Sequence, residues 1–236
     1  QKRPILLYGD YDVDGMTSTT IMVKLITLMG GVVRYRIPHR FDHGYGLNMD
    51  VVDLIQDHHI GLLITLDCGV TNSEEIRAVK EKTDAKVIVI DHHQIPDILP
   101  PFDAMLNPKS LEDTHGLYHL CTAGIVYKLV EYLAKTMDKI NLDDFIDLAA
   151  IGTIADVATL QGDNHRIVNL GLKQLATTRN VGIQSLLKRA GFEQFCVSVR
   201  DIGFVIAPRL NAAGRLATAQ YGVELLLSNT ESEAIA

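Results

Sequence analysis

The stretch PILLYGDYDVDGMTST, residues 4–19, decides the reading of this chain. An apolar run ends at Gly9, and three aspartates, Asp10, Asp12 and Asp14, follow it in alternation. A Thr- and Ser-rich helical pattern comes next, so the run reads as a strand feeding a helix. Three like charges at such a turn repel one another unless something positive lies between them.

The same strand-like signature recurs downstream. GVVRYRI, GLLITLD and AKVIVID follow at residues 31–37, 61–67 and 85–91, and DAMLNP at 103–108 adds a short fifth strand. The third and fourth runs are apolar throughout and rich in Ile, Leu and Val, as parallel strands buried on both faces must be. Helical patterns over 17–29, 48–57 and 72–81 lie between them. The alternation predicts an α/β fold with a doubly wound, mostly parallel sheet of about five strands over residues 1–115. After about residue 120 the pattern changes. GIVYKLVEYLAKTM, LDDFIDLAAIGTIA, HRIVNLGLKQLATT and GIQSLLKRAG are helical with no convincing strand among them. Residues 116–236 are therefore expected to form a helical part packed on the α/β core.

In open α/β sheets ligands bind beyond the carboxyl ends of the strands. The acids follow this rule. Asp10, Asp12 and Asp14 follow the first strand, Asp67 ends the third, and Asp91, His92 and His93 end the fourth. Any one of these positions alone reads as a turn former or helix N-cap. Turn chemistry gives no reason for acids and histidines to converge from three strand ends. Asp156, closing the apolar run GTIADVATL, adds a carboxylate that is unfavourable in such company unless paired or ligating. Carboxylate and imidazole without thiolate suit Mn²⁺ or Mg²⁺. Five or six ligands exceed the need of one catalytic ion and suit two ions about 3.5–4 Å apart sharing a carboxylate, as in phosphoryl hydrolysis.

Two further stretches read as substrate contacts. APRLNAAGRL carries Arg209, Asn211 and Arg215, with guanidinium forks that match phosphate oxygens. PHRFDHGYGLN carries Arg40, Phe41, His43 and Tyr45, a basic and aromatic loop suited to single-stranded nucleic acid. A helix-surface arginine pair and an ordinary surface loop are the plain alternatives.

Bulk properties bound the rest. The 236 residues are 47% hydrophobic and 22% charged, an ordinary globular composition. The net charge of −7 argues against a general nucleic-acid coat, although ions neutralise clustered carboxylates locally. Cys68, Cys121 and Cys196 lack CxxC spacing, so no disulfide framework or zinc knuckle is expected and a cytoplasmic protein is. No apolar run reaches the ~20 residues of a membrane span. The chain starts at Gln1 and ends soon after Thr230 and Glu233, which have capping-box spacing, so it reads as a fragment of a longer protein.

Taken in order, GDYDVDGMTS, RFDHGYGL, LDCGV, IDHH, IADVATL and PRLNAAGR resemble the RecJ family of single-strand-specific 5′→3′ DNA exonucleases, a branch of the DHH phosphoesterase superfamily. PRLNAAGR is the most specific of these motifs. The resemblance implies that Asp12 and Asp14 ligate separate ions, with Asp10 close to the first, and that Asp67 bridges both. It implies His92 and Asp156 as ligands of the second ion, and His93 as partner of the scissile phosphate or of a ligating carboxylate. Asp67 and His93 are thus the expected catalytic pair. Arg209, Asn211 and Arg215 match the phosphate-holding motif. Tyr8 stands where many superfamily members have His. Tyrosine is a poor Mn²⁺ ligand, so the first ion would rely on Asp10 and Asp12 and bind more weakly. The resemblance also implies single-stranded DNA as substrate, roles in DNA repair and recombination, a single-strand-binding protein and a helicase as partners, and a monomer. It implies a second domain and an oligonucleotide-binding fold beyond this fragment. The competing readings are a phosphodiesterase of short oligonucleotides or cyclic dinucleotides, and a non-catalytic replication scaffold. A dinucleotide-binding domain is disfavoured because GDYDVDG lacks GxGxxG and would repel pyrophosphate.

Overall fold

The computed structural model describes residues 3–39, 44, 46–192, 196–216 and 219–235, without the side chains of 213–216. Five strands, β1 (Ile5–Gly9), β2 (Val33–Arg36), β3 (Leu62–Leu66), β4 (Lys86–Ile90) and β5 (Ala104–Leu106), form one sheet in the order β2-β1-β3-β4-β5. All four pairings are parallel. The sheet is covered on both faces, as its apolar strands require. Leu6 and Tyr8 of β1 face one core with Leu63, Val87 and Val89. Leu7 faces the other with Ile64, Leu66 and Ile90.

Helix α1 (Val13–Leu28) follows β1 and packs on the second of these faces. Helices α2 (Asp50–Asp57) and α3 (Ser73–Lys82) cover the first. The helical half adds α4 (Thr122–Ala134), α5 (Ile146–Ala155), α6 (Gly162–Leu175) and α7 (Val181–Arg189). Nine of the ten residues of α5 are buried. Apart from Asp147 and Thr153 its sequence is apolar all round, which fits a helix enclosed on every side. Leu7 and Ile64 of the sheet share one core with Ile151, Ile167 and Leu187 of these helices.

Helix α1 begins at Val13, earlier than the sequence pattern suggests. Asp12 is its N-cap and accepts from the Gly15 amide at 3.0 Å. Asp14 therefore sits in the first helical turn. Gly15 permits this tight entry, because a Cβ there would lie 2.4 Å from the Asp10 carbonyl oxygen. The helix under Arg209 and Arg215, offered by the sequence only as a plain alternative, spans 199–216 (α8) and is made of Val199–Asp201, a π turn at Ile202–Ile206, and Ala207–Leu216. Pro208 has no N–H and its ring clashes with the carbonyl four residues back, so a wide turn just before it relieves the conflict. Two short helices, α9 (Gln220–Leu227) and α10 (Glu231–Ile235), follow. No helix among the described residues is long and apolar enough to cross a membrane.

Candidate metal centre

The strand register builds the site. Gly9, Leu66 and Ile90 end their strands side by side. The next residues continue the ladder: the amides of Asp10, Asp67 and Asp91 donate to the carbonyls of Leu66, Ile90 and Leu106. Three carboxylates thus stand in a row at one sheet edge. Between β1 and β3 the winding reverses direction, the place where open α/β sheets hold ligands.

The nitrogen and oxygen atoms that could ligate fall into groups within 4.8 Å of one another: Asp10 with Asp12 and Asp67, Asp14 with His92 and Asp156, and Asp67 with His92 and His93. His92 Nε2 lies 3.2 Å from Asp67 Oδ1 and 3.8 Å from both Asp14 Oδ2 and Asp156 Oδ1. Asp67 and His92 therefore join the first two groups. All six metal-ligand candidates read from the sequence converge here, with His93 beside them.

Secondary structure aims each group. Asp67 adopts a left-handed backbone, φ 64°, and so does Val157, φ 57°, immediately after Asp156. Such conformations cost about 1–3 kcal/mol outside glycine and cluster at functional sites. The start of α4 points two amides at Asp14: Thr122 N–H donates to Oδ2 at 2.7 Å and Ala123 N–H to Oδ1 at 2.8 Å. The Thr122 hydroxyl reaches Asp67 Oδ1 at 3.0 Å. Gly152 lets α5 close over this junction, since a Cβ there would meet Thr17 Oγ1 at 2.4 Å and Ala123 Cβ at 2.6 Å. Asp91 orients His93, with Oδ1 2.7 Å from Nδ1, and the Asn107 amide donates to the His93 carbonyl at 2.9 Å.

Electrostatically the cluster is frustrated. Burial, with Asp12 adding repulsion, raises Asp10 to about 7. Burial, with Asp14 and Asp12 adding, raises Asp156 to about 7. Asp14 and Asp67 are raised by burial and by their neighbours. Burial lowers His92, leaving a neutral imidazole suited to ligation. The bond to Asp91 raises His93. Burial pushes Asp91 up, yet its bonds to His93 and the Val70 amide hold it below the usual carboxylate range. Asp10 Oδ1 is buried without a hydrogen-bond partner among the described residues. An orphaned carboxylate oxygen, mutually repelling acids and a neutral imidazole are the donor set that divalent cations satisfy, and the absence of thiolate favours hard ions.

The remaining candidates lie on α8 or beyond the described residues, except Tyr8 on β1. Arg209 sits on α8, exposed, with its guanidinium donating back to the Val205 carbonyl at 2.8 Å. Asn211 is half-buried on the same helix. Arg215 is on α8 but its side chain is not described, and Arg40, Phe41, His43 and Tyr45 lie outside the described residues. Tyr8 is buried in the opposite core with its hydroxyl accepting from Asn48 at 3.1 Å, so its side chain serves the sheet. The sequence reading passes over Thr122, Ala123 and Asn107, and it sees Asp91 only as a strand-end acid. Backbone amides leave no side-chain signature, although an apolar helix start beside an acid cluster is a usable hint.

The fold and this acid-and-histidine edge define a class of doubly wound α/β domains with a candidate divalent-metal centre. Residues 4–153 match the DHH family, N-terminal domain, and the chain belongs to that family. It is 37% identical over 234 residues to the single-stranded-DNA-specific exonuclease RecJ of Bacillus subtilis, covering 99% of this chain and 29% of that protein. Among solved structures, exonuclease RecJ bound to manganese superposes with a TM-score of 0.89 at 36% identity, covering 100% of this chain and 59% of that one. RecJ of Thermus thermophilus in complex with Mn²⁺ gives 0.85 at 34% identity, covering 99% and 33%, and the same protein has been solved with Mg²⁺. This chain spans 29–42% of the length of the curated relatives it matches.

Proposed function

We propose that this chain is the catalytic core of a metal-dependent phosphodiester hydrolase, acting as a 5′→3′ exonuclease on single-stranded DNA in repair and recombination. The observation that carries the reading is the pair of ligand groups joined through Asp67 and His92, 3.2 Å apart. Asp10, Asp12 and Asp67 would hold one Mn²⁺ or Mg²⁺, and Asp14, His92 and Asp156 the other, with Asp67 shared. When bound, such ions supply Lewis-acid chemistry, acidifying water and offsetting charge at phosphorus.

The protein's own residues do the rest. The two α4 amides fix both oxygens of Asp14, so this ligand needs no reorganisation when charge arrives. Asp91 keeps the proton of His93 on Nδ1 and makes the ring more basic. His93 is half-exposed, so it is suited to donate to a phosphate oxygen of an entering strand or to the departing oxygen. Arg209 is exposed and joined only to its own helix among the described contacts, so it is free to turn toward phosphate. Arg215, Asn211, Arg40 and His43 complete the proposed substrate contacts. A single-strand-binding protein, a helicase, a monomeric state and a cytoplasmic location belong to the same reading. RecJ relatives bearing this exonuclease name favour it over a small-substrate phosphodiesterase or a scaffold.

The test is a length series of 5′-labelled single strands in Mn²⁺, at low and moderate salt, beside a blunt duplex and a cyclic dinucleotide. The expected result is weak, poorly processive 5′-end cleavage of single strands with little action on duplex. With a net charge of −7, few phosphates are neutralised, so salt dependence stays shallow at about 0.7 per phosphate contact. Turnover confined to the cyclic dinucleotide or to dinucleotides would establish the small-substrate reading. No phosphodiester turnover with metal bound would contradict catalysis by this part alone.

A further inference from the structure

We propose that Thr122 is a positioning residue that locks the Asp67 carboxylate between the two ligand groups, an inference resting on the metal-centre reading. Thr122 is the first residue of α4 and is wholly buried. Its hydroxyl donates to Asp67 Oδ1 at 3.0 Å while its amide donates to Asp14 Oδ2 at 2.7 Å. Asp67 and Asp14 belong to different ligand groups. One residue therefore sets the separation between them.

The geometry around Asp67 explains why it needs holding. Its backbone is left-handed at φ 64°, a conformation an aspartate keeps only when its surroundings enforce it. The carboxylate is fully buried among four other acids that each raise its proton affinity, Asp14, Asp12, Asp10 and Asp91. Repulsion favours any rotation that separates it from them. Oδ1 is held from two sides, by the Thr122 hydroxyl at 3.0 Å and by His92 Nε2 at 3.2 Å. His92 is itself a ligand candidate, so loading the site redirects its nitrogen. The threonine hydroxyl is no ligand candidate and stays on Oδ1. With cations bound the carboxylate is ionised and only accepts hydrogen bonds, so the hydroxyl proton then points at Asp67. Partners that orient ligands in this way typically contribute about 10–100-fold to metal affinity.

The bonds to Asp14 come from backbone amides and survive substitution at position 122, so the hydroxyl is separable. Mn²⁺ affinity and stoichiometry are measured by titration calorimetry on Thr122→Val, Thr122→Ala and Thr122→Ser, each also in an Asp67→Ala background, with circular dichroism on the chelated proteins. The expected result is a loss of about 10-fold or more in Mn²⁺ affinity for Val and Ala. Ser should retain wild-type affinity, and Val should add nothing once Asp67 is removed. Wild-type affinity in both Val and Ala, with Asp67→Ala still losing a site, would overturn the positioning role while leaving the metal centre intact. Unchanged binding in Asp67→Ala itself would overturn the metal-centre reading. Loss of fold in both Val and Ala under chelator would make Thr122 a structural residue and overturn the proposal.

Discussion

Removing divalent ions and raising the pH from about 5 to about 8 should melt this chain at progressively lower temperature. Asp10 and Asp156 both rise from 3.8 in the unfolded chain to about 7 in the folded one. Each folded carboxyl then holds a proton that the unfolded chain releases. The stability this brings is complete below 3.8 and is lost as pH climbs through about 7. At about 1.36 kcal/mol per pH unit, one such group forfeits ~3 kcal/mol between about pH 5 and about pH 7. Counting one group alone sets a lower bound for the two. For a chain of this length that is a fall of about 6–12 °C. Asp14 and Asp67 shift in the same direction, while His92 and His93 shift oppositely to each other and offset. Scanning calorimetry at a series of pH values with chelator measures the slope. Asp10→Asn and Asp156→Asn should flatten it, and saturating Mn²⁺ should abolish it. A metal-free melting temperature that is flat or rising over this window would refute the reasoning. So would an unchanged slope in both variants.

Gly152→Ala drives a methyl toward Thr17 Oγ1, Ala123 Cβ and Asp14 Oδ1. It should destabilise the fold by about 1–3 kcal/mol in denaturant melts and weaken Mn²⁺ binding as well. Arg209→Ala should raise KM for single-stranded DNA several-fold while leaving Mn²⁺ affinity unchanged by calorimetry, because Arg209 touches only its own helix among the described contacts. Equal loss of both would remove it from the phosphate contacts.

What is legible in the sequence follows from burial. The three inner strands can be read because strands enclosed on both faces must be apolar runs, and their ends are marked by the acid that follows, while the edge strands β2 and β5 show only as shorter, less apolar runs. Those acids, Asp10, Asp67 and Asp91, are also the site. The sheet's register turns strand ends into neighbours, so reading the fold amounts to reading most of the centre. What stays hidden depends on the backbone. The α4 amides on Asp14 and the left-handed φ of Asp67 and Val157 belong to no residue type. Helix α8 enters the sequence reading only as an alternative, since Pro208 normally breaks a helix and the π turn before it keeps this one continuous. The start of α1 is placed late because Asp12 and Asp14 read as turn residues, whereas one caps the helix and the other lies inside it.

The central claim is that these carboxylates and imidazoles hold two cations through a shared Asp67. Anomalous diffraction from crystals grown with Mn²⁺, recorded at the manganese edge, tests it most directly. The account predicts two peaks, one against Asp10, Asp12 and Asp67, the other against Asp14, His92 and Asp156, with Asp67 touching both. A single ion, or two ions with Asp67 bound to neither, would contradict it.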